Sequence, residues 1–214
     1  MVCTLDKNKV SVIRKALKAL GKKNFVFIMH NGSFPSVEGE NTGFGTINSQ
    51  AGKNFIDYAS GLFDAIQMGP AGKTKSSDSS PYTGTIFSNN PLFIDLKELT
   101  TDKWHKILSE KTFKDIVDNN PNKDKNKTSY SYITKRQDEA LTEAYENFLK
   151  LNDKNLNAEF DTYKIENDSW LDKDSLYEAF ALENGTDYWP NWKNKADKNV
   201  FNPKSIEEKI EYGK

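Results

Sequence analysis

The sequence has little of what marks secreted, membrane or nucleic-acid-binding proteins. Its single cysteine, Cys3, excludes an intramolecular disulfide and favours a reducing compartment, so a cytoplasmic protein is expected. No apolar run approaches the roughly 18 residues of a membrane helix, and the charged start of the chain is unlike a signal peptide. The 30 basic and 31 acidic residues nearly balance, which argues against nucleic acid or an anionic membrane as partner.

The residues that are present indicate a folded α/β chain. Aromatic residues make up 12% of the sequence, too many for a disordered chain. An amphipathic helix over the first 20 residues is predicted to end at Gly21. Three apolar runs predict strands at Phe25–Met29, Ala65–Met68 and Leu92–Leu96, with a helix around Ala51–Leu62 between the first two. This order is typical of a right-handed crossover between parallel strands.

The second half of the sequence is predicted to be mostly helical. Thr134 and Gln137 have the spacing of a capping box, and a strongly periodic apolar pattern follows them. A shorter helix is predicted over residues 175–182, and another of about two turns after Pro203. Residues 119–131 have no apolar periodicity and are expected to form a surface loop.

Two polar loops follow the first two predicted strands, His30 to Thr46 and Gly69 to Asn90. The loops at the carboxyl ends of parallel strands are where α/β proteins bind ligands. Hydroxyl and amide groups together with Tyr82 suit a neutral, polyhydroxylated ligand, since an aromatic face can cover the apolar side of a sugar ring. A phosphate site would need a basic residue at a fixed spacing that these loops lack. A hydrogen-bonded structural role for His30 after a buried strand, and a turn-wedging role for Tyr82 beside Pro81, remain open alternatives.

Three blocks of motifs occur in a recognisable order between about residues 24 and 185. They are His30, Ser33 and Pro35 with Gly43 and Gly45; Gly69-Pro70, Ser80-Pro81-Tyr82, Asn90-Pro91 and Ile94-Asp95-Leu96; and Trp170-Leu171 with Asp172 and Asp174. This order resembles the amylomaltases, the bacterial 4-α-glucanotransferases of the α-amylase-like glycoside hydrolase clan. The chain departs from that pattern around Tyr82, where an extra serine precedes the Ser-Pro-Tyr and threonine replaces the usual glutamine.

The resemblance implies the amino-terminal portion of a (β/α)8 TIM-type barrel with helical insertions. Residues 1–23 would form an amino-terminal helix, residues 24–118 the first βα units of the barrel, and residues 119–214 a mostly helical insertion or subdomain, with the chain truncated at 214. The implied activity is retaining transfer of α-1,4-glucan segments between maltooligosaccharides, without metal or cofactor.

By the same resemblance, the substrate-binding residues of this segment are Ser80, Tyr82, His30 and Ser33. No catalytic residue is assigned, because the family's catalytic carboxylates lie in the later half of the barrel. The alternative is a non-catalytic glucan-binding or interaction protein derived from the front half of the barrel. A solvated α/β domain without a ligand is a third interpretation.

Overall fold

The computed structural model describes residues 6–75, 78–85, 88–125, 127–194 and 197–198. The chain divides into two compact units, which we call the first unit and the second unit. The first unit comprises the chain up to Ala71 together with Asn90–Lys150, and the second comprises Gly72–Asn89 and the chain from Leu151 onward. Cys3 and the helix predicted after Pro203 lie outside the described residues.

Most of the helices and both strands lie in the first unit. In chain order they are α1 (Lys7–Ala19), β1 (Val26–Met29), α2 (Gln50–Ser60), β2 (Ala65–Met68), α3 (Leu96–Leu99), α4 (Glu110–Asp118) and α5 (Tyr130–Leu151). The second unit contains α6 (Lys154–Glu166) and α7 (Asp168–Asn184). The structure is therefore a mixed α/β chain with a large helical share.

The predicted pair of parallel strands is confirmed. β1 pairs with β2 in register from Val26 opposite Ala65 to Met29 opposite Met68, and α2 forms the connection between them. Phe27 packs against Phe55 of α2, which covers one face of the sheet. The opposite face is open, and Ile28 there is 73% exposed.

The predicted third strand at Leu92–Leu96 is wrong. The segment forms a 3-10 turn over Pro91–Phe93, followed by α3 from Leu96. Pro91 has no backbone N–H to give to a strand ladder, and the side chains of Asn90 and Asp95 accept the N–H groups of Leu92 and Lys97. The apolar run is therefore buried by two short capped turns.

Side chains from elsewhere in the first unit satisfy the carbonyl groups of this segment. Gln137, only 2% exposed, donates to the carbonyl oxygens of Pro91 at 2.9 Å and Ile94 at 3.2 Å. Thr46 Oγ1 donates to the carbonyl oxygen of Phe93 at 2.8 Å. Gln137 thus satisfies backbone carbonyl groups in the core. It does not cap its own helix, since α5 begins at Tyr130, before the predicted capping box.

Each unit has its own apolar core. The core of the first unit draws on α3, α4 and α5 and consists of Phe44, Leu92, Leu96, Leu108, Phe113, Ile116, Val117, Ile133, Ala140 and Ala144. In the second unit, Leu176 and Phe180 of α7 pack with Trp192. The helix predicted over residues 175–182 is confirmed in a longer form, and it ends at Gly185 with φ +67°. α6 has no counterpart among the predictions.

The role of Gln137 can be tested with Gln137→Met, which preserves the length of the side chain but removes both donated hydrogen bonds. At about 1 kcal/mol per bond, we expect the free energy of unfolding to fall by about 2 kcal/mol. Gln50→Met, at an exposed position of α2, is the matched control and should change stability by less than about 0.5 kcal/mol. Equal midpoints of urea unfolding for the two variants would show that the bonds of Gln137 are not needed.

Asp95 provides a prediction about pH. This half-buried carboxylate lines a cavity of 20 Å³, and burial raises its pKa above the ordinary value, opposed by the N–H of Lys97. The folded state therefore holds the proton more tightly, so the contribution of Asp95 to stability falls as pH rises from about 4 through its folded pKa. Asp95→Asn retains a capping oxygen, and we expect it to raise the melting temperature at pH 7, with the gain shrinking towards pH 4.

Asp102 is a control whose pKa is shifted in the opposite direction, because Lys106 lowers the pKa of this exposed carboxylate. Asp102→Asn should slightly lower the melting temperature at pH 7, and this loss should also shrink in acid. A lower melting temperature for Asp95→Asn than for the parent chain at pH 7 would contradict the prediction that burial of the charged carboxylate destabilises the fold.

Candidate functional site

His30 and Ser33 share one turn directly after β1. The turn is a 3-10 helix over Asn31–Ser33, closed by the Ser33 N–H donating to the carbonyl oxygen of His30 at 2.9 Å. His30 Nδ1 accepts the N–H of Gly32 at 3.1 Å, so in the neutral imidazole Nε2 carries the proton. Ser33 is exposed, and its hydroxyl has no hydrogen-bond partner within the described part of the chain. The turn thus offers one ring N–H and one hydroxyl for a ligand.

Asn31, between these two residues, fastens the turn to the end of β2. Its Nδ2 donates to the carbonyl oxygens of Gly69 and Pro70, each at 3.2 Å. The residue is 7% exposed, and its Oδ1 accepts no hydrogen bond from any described residue. Asn31 therefore fixes the position of the His30 turn at the carboxyl end of the sheet.

The glycines of the Gly-Phe-Gly motif allow the rest of the first loop to fold inward. Gly43 has φ +100°, and a Cβ there would lie 2.9 Å from Ser129 Cβ. A Cβ on Gly45 would lie 1.8 Å from the carbonyl oxygen of Phe34, so no larger residue fits. Phe44 between them is buried in the core of the first unit. The motif therefore anchors the loop in the core of the first unit.

The described residues between Gly72 and Asn89, in the second unit, form a hairpin-like loop, which we call the hairpin. Gly72 and Asn89 form an antiparallel bridge, the N–H of Lys73 donates to Ser88 at 2.9 Å, and the N–H of Thr85 donates to Lys73 at 2.9 Å. The two arms approach so closely that a Cβ on Gly72 would lie 1.9 Å from the carbonyl oxygen of Thr85. Backbone hydrogen bonds thus hold the described part of the hairpin.

Ser80 and Tyr82 lie at the 3-10 turn Pro81–Thr83 of the hairpin. Asp78 stabilises this turn by accepting the N–H of Ser80 at 2.9 Å and the hydroxyl of Thr83 at 3.0 Å, and these bonds lower the pKa of Asp78. Tyr82 is 82% exposed, so it does not wedge the turn against Pro81. The turn is held by Asp78, and the ring of Tyr82 is free to contact a ligand.

α7 carries Trp170-Leu171 with Asp172 and Asp174 in its first turns. Farther along, Glu178 accepts a hydrogen bond from Lys73 of the hairpin at 2.6 Å. Asp174 stands one helical turn before Glu178; burial raises its pKa, Glu178 raises it further, and Lys73 opposes them. These three residues form the main charged cluster next to the hairpin.

The four predicted site residues are thus brought together as two pairs, one in each unit. Sequence reasoning missed Asn31 and Asp78, although both have a signal: an amide directly after a strand, and an aspartate two residues before a serine, as in an Asx turn. It also missed the pairing of Lys73 with Glu178, which lie 105 residues apart and give no local signal.

The chemistry on offer is hydrogen bonding and aromatic contact. The groups at the two turns are hydroxyls, a ring N–H and a phenol, which suit the hydroxyl groups and apolar face of a sugar. Within the described ranges, no three histidine, cysteine or acidic side chains are grouped so as to hold a metal ion. None of the described helices is long and apolar enough to cross a membrane.

Comparison with known proteins agrees with the order of motifs. None of the curated proteins compared with the chain matches it. The model of the 4-alpha-glucanotransferase family, glycoside hydrolase family 77, matches residues 30–212, which include both polar loops, the Asn-Pro and Ile-Asp-Leu motifs, and α7. The chain therefore belongs to the 4-alpha-glucanotransferase family.

Proposed function

We propose that this chain binds α-1,4-glucans through its two polar loops and serves a 4-α-glucanotransferase that works by a retaining mechanism. The observation that carries the proposal is the exposed Tyr82 on a turn fixed by Asp78, within a chain of this family. A side chain that is exposed while its backbone is held needs little reorganisation to meet a ligand, so little binding energy is lost in ordering it.

In the second unit, Tyr82 supplies a ring for the apolar face of a glucose unit and a hydroxyl for one of its hydroxyl groups. Ser80 supplies a second hydroxyl, since its side chain makes no capping hydrogen bond at the start of the turn. These two residues belong to the Ser-Pro-Tyr motif of the resemblance. We assign them to holding one sugar of the glucan.

In the first unit, we assign His30 and Ser33 to sugar contacts of their own. His30 Nδ1 is occupied by the N–H of Gly32, so Nε2 is the ring atom left to donate to a sugar hydroxyl. Ser33 adds an exposed hydroxyl from the same turn. Neither residue is assigned a catalytic role.

The proposed organisation is an amino-terminal segment with α1 over residues 1–23, the first βα units of a barrel over 24–118, and a mostly helical subdomain over 119–214. In the retaining reaction, a carboxylate attacks the anomeric carbon while an acid protonates the leaving oxygen, and a glucan hydroxyl then takes up the glycosyl unit. This segment contributes substrate positioning, which lowers the barrier by orienting the reacting atoms.

The carboxylates for that reaction are assigned outside this segment. Asp174 and Glu178 are neighbours in the second unit, but they lie on one helix and Glu178 pairs with Lys73. Retaining enzymes hold two carboxyl groups about 5–5.5 Å apart on either side of the scissile bond. Two residues one turn apart on the same helix do not flank a sugar in this way.

The second candidate is a non-catalytic glucan-binding protein. It is favoured by the kinds of side chain assigned to the glucan, a phenol, an imidazole and hydroxyls, which do not include the paired carboxylates of a retaining enzyme. Both candidates predict glucan binding and no glucan transfer by the 214-residue chain alone, and they differ in whether the chain serves a transferase.

The role of Tyr82 can be tested with maltoheptaose and two variants of the chain. Tyr82→Phe removes one hydrogen bond of about 0.5–1.5 kcal/mol and should weaken binding about two- to tenfold. Tyr82→Ala also removes the ring and should weaken binding more. Because the side chain is 82% exposed, neither change should alter the free energy of unfolding by more than about 0.5 kcal/mol. Titration calorimetry and thermal unfolding measure the two quantities.

Tyr163→Ala is the matched control, since it removes an exposed tyrosine from α6 of the same unit. Its affinity for maltoheptaose should equal that of the parent chain. Unchanged affinity in Tyr82→Ala would remove Tyr82 from the proposed glucan site.

The assignment of the carboxylates predicts that the purified 214-residue chain does not disproportionate maltotriose. Chromatography of the sugars after prolonged incubation should show maltotriose alone. Longer maltooligosaccharides would contradict the assignment, and the variants Asp174→Asn and Glu178→Gln would then show whether these two acids carry the reaction.

A further inference from the structure

An ion pair joins the hairpin to α7. Lys73 Nζ lies 2.6 Å from Glu178 Oε2, and both side chains are a little over one third exposed. Lys73 lies in the arm of the hairpin that precedes the Ser80 turn, and Glu178 lies in the second half of α7. The pair therefore connects the segment that carries Tyr82 to a helix with its own packed core.

On the α7 side, Lys73 meets two acidic residues. Asp174 and Glu178 are four residues apart and therefore neighbours on the helix surface, where like charges repel. Burial and Glu178 raise the pKa of Asp174, whereas Lys73 lowers it. α7 itself is well fixed, because Phe180 is fully buried against Trp192. The ammonium group of Lys73 thus offsets the repulsion between Asp174 and Glu178 on a helix that is fixed by its core.

On the hairpin side, a backbone hydrogen bond couples the position of Lys73 to the turn Pro81–Thr83. Its carbonyl oxygen accepts the N–H of Thr85, two residues after the end of the Pro81–Thr83 turn. Gly84 fits closely against the same carbonyl, since a Cβ there would lie 2.8 Å from it. Displacement of Lys73 therefore displaces the end of the turn that bears Tyr82.

We propose that Lys73 and Glu178 are positioning residues, which together fix the hairpin on α7 and so hold Tyr82 in place for a glucan. The consequence for glucan binding rests on the proposed function above. The ion pair acts through the hairpin backbone, and neither residue contacts the sugar in this proposal.

The test uses hydrogen–deuterium exchange of the full chain without sugar, followed at the backbone amides of Lys73 and Thr85. Lys73→Met and Glu178→Gln each remove the ion pair and retain most of the side-chain volume. For a partly exposed pair, we expect these two amides to exchange about two- to fivefold faster than in the parent chain.

Two further variants separate the charge interaction from simple loss of packing. The exchanged pair Lys73→Glu with Glu178→Lys restores the attraction and should return exchange close to that of the parent. Lys164→Met removes the ion pair of Lys164 with Asp161 on α6 of the same unit, and it should leave the hairpin amides unchanged. Parent-like exchange in both single variants, or no rescue in the exchanged pair, would overturn the proposal.

Affinity for maltoheptaose then tests the consequence for glucan binding. It should fall two- to fivefold in each single variant, recover in the exchanged pair, and stay unchanged in Lys164→Met. Failure of the parent chain to bind maltoheptaose counts against the proposed function, whereas the exchange data decide the ion pair without any sugar. Faster exchange with unchanged affinity would show that the pair holds the hairpin but does not position Tyr82 for the ligand.

Discussion

The first unit depends on how the segment Asn90–Leu96 satisfies its backbone while lying against the core. Leu92 and Leu96 bury their side chains, so the polar groups around them need partners other than water. A strand would obtain these partners from a neighbouring ladder. Here they come from the side chains of Asn90 and Asp95 within the segment, from Gln137 of α5, and from Thr46 and Asn48, which both donate to the carbonyl oxygen of Phe93. One irregular segment thus fixes α5 and the first polar loop to the same core.

The capping of backbone N–H groups by side chains also explains why both polar loops are rich in small polar residues. His30, Asn41, Asp78 and Asn90 each accept the N–H of the residue two positions later, so much of the polarity that suggests ligand binding serves the backbone instead. The residues left for a ligand are those at exposed ends of these turns, above all Tyr82 and Ser33. The capping hydrogen bonds fix the backbone of each turn, and a fixed backbone keeps an exposed side chain in place.

Sequence patterns predicted the elements whose stabilisation is local. β1, α2, β2 and the glycine-terminated α1 and α7 follow from apolar period and end signals within each segment. The patterns failed at Leu92–Leu96 because a short apolar run is compatible with a strand or with buried turns, and Pro91 between two capping side chains decides for turns. The prediction of a capping box at Thr134 failed because the hydrogen-bond partners of Gln137 lie more than 40 residues away in the sequence. For the candidate site, the sequence suggested Ser80, Tyr82, His30 and Ser33, whereas the anchors Asn31 and Asp78 required the fold.

The open face of the sheet connects the fold to the proposed barrel. Parallel strands are usually covered on both faces, and two strands alone are marginal in stability. α2 covers the face of Phe27, but Val26 and Ile28 on the other face are exposed although they are apolar and β-branched. In a (β/α)8 barrel, residues of this kind on the inner face of each strand pack in layers at the centre. The proposed barrel therefore accounts for apolar side chains that the described residues leave uncovered, and for polar loops that begin at the carboxyl ends of β1 and β2.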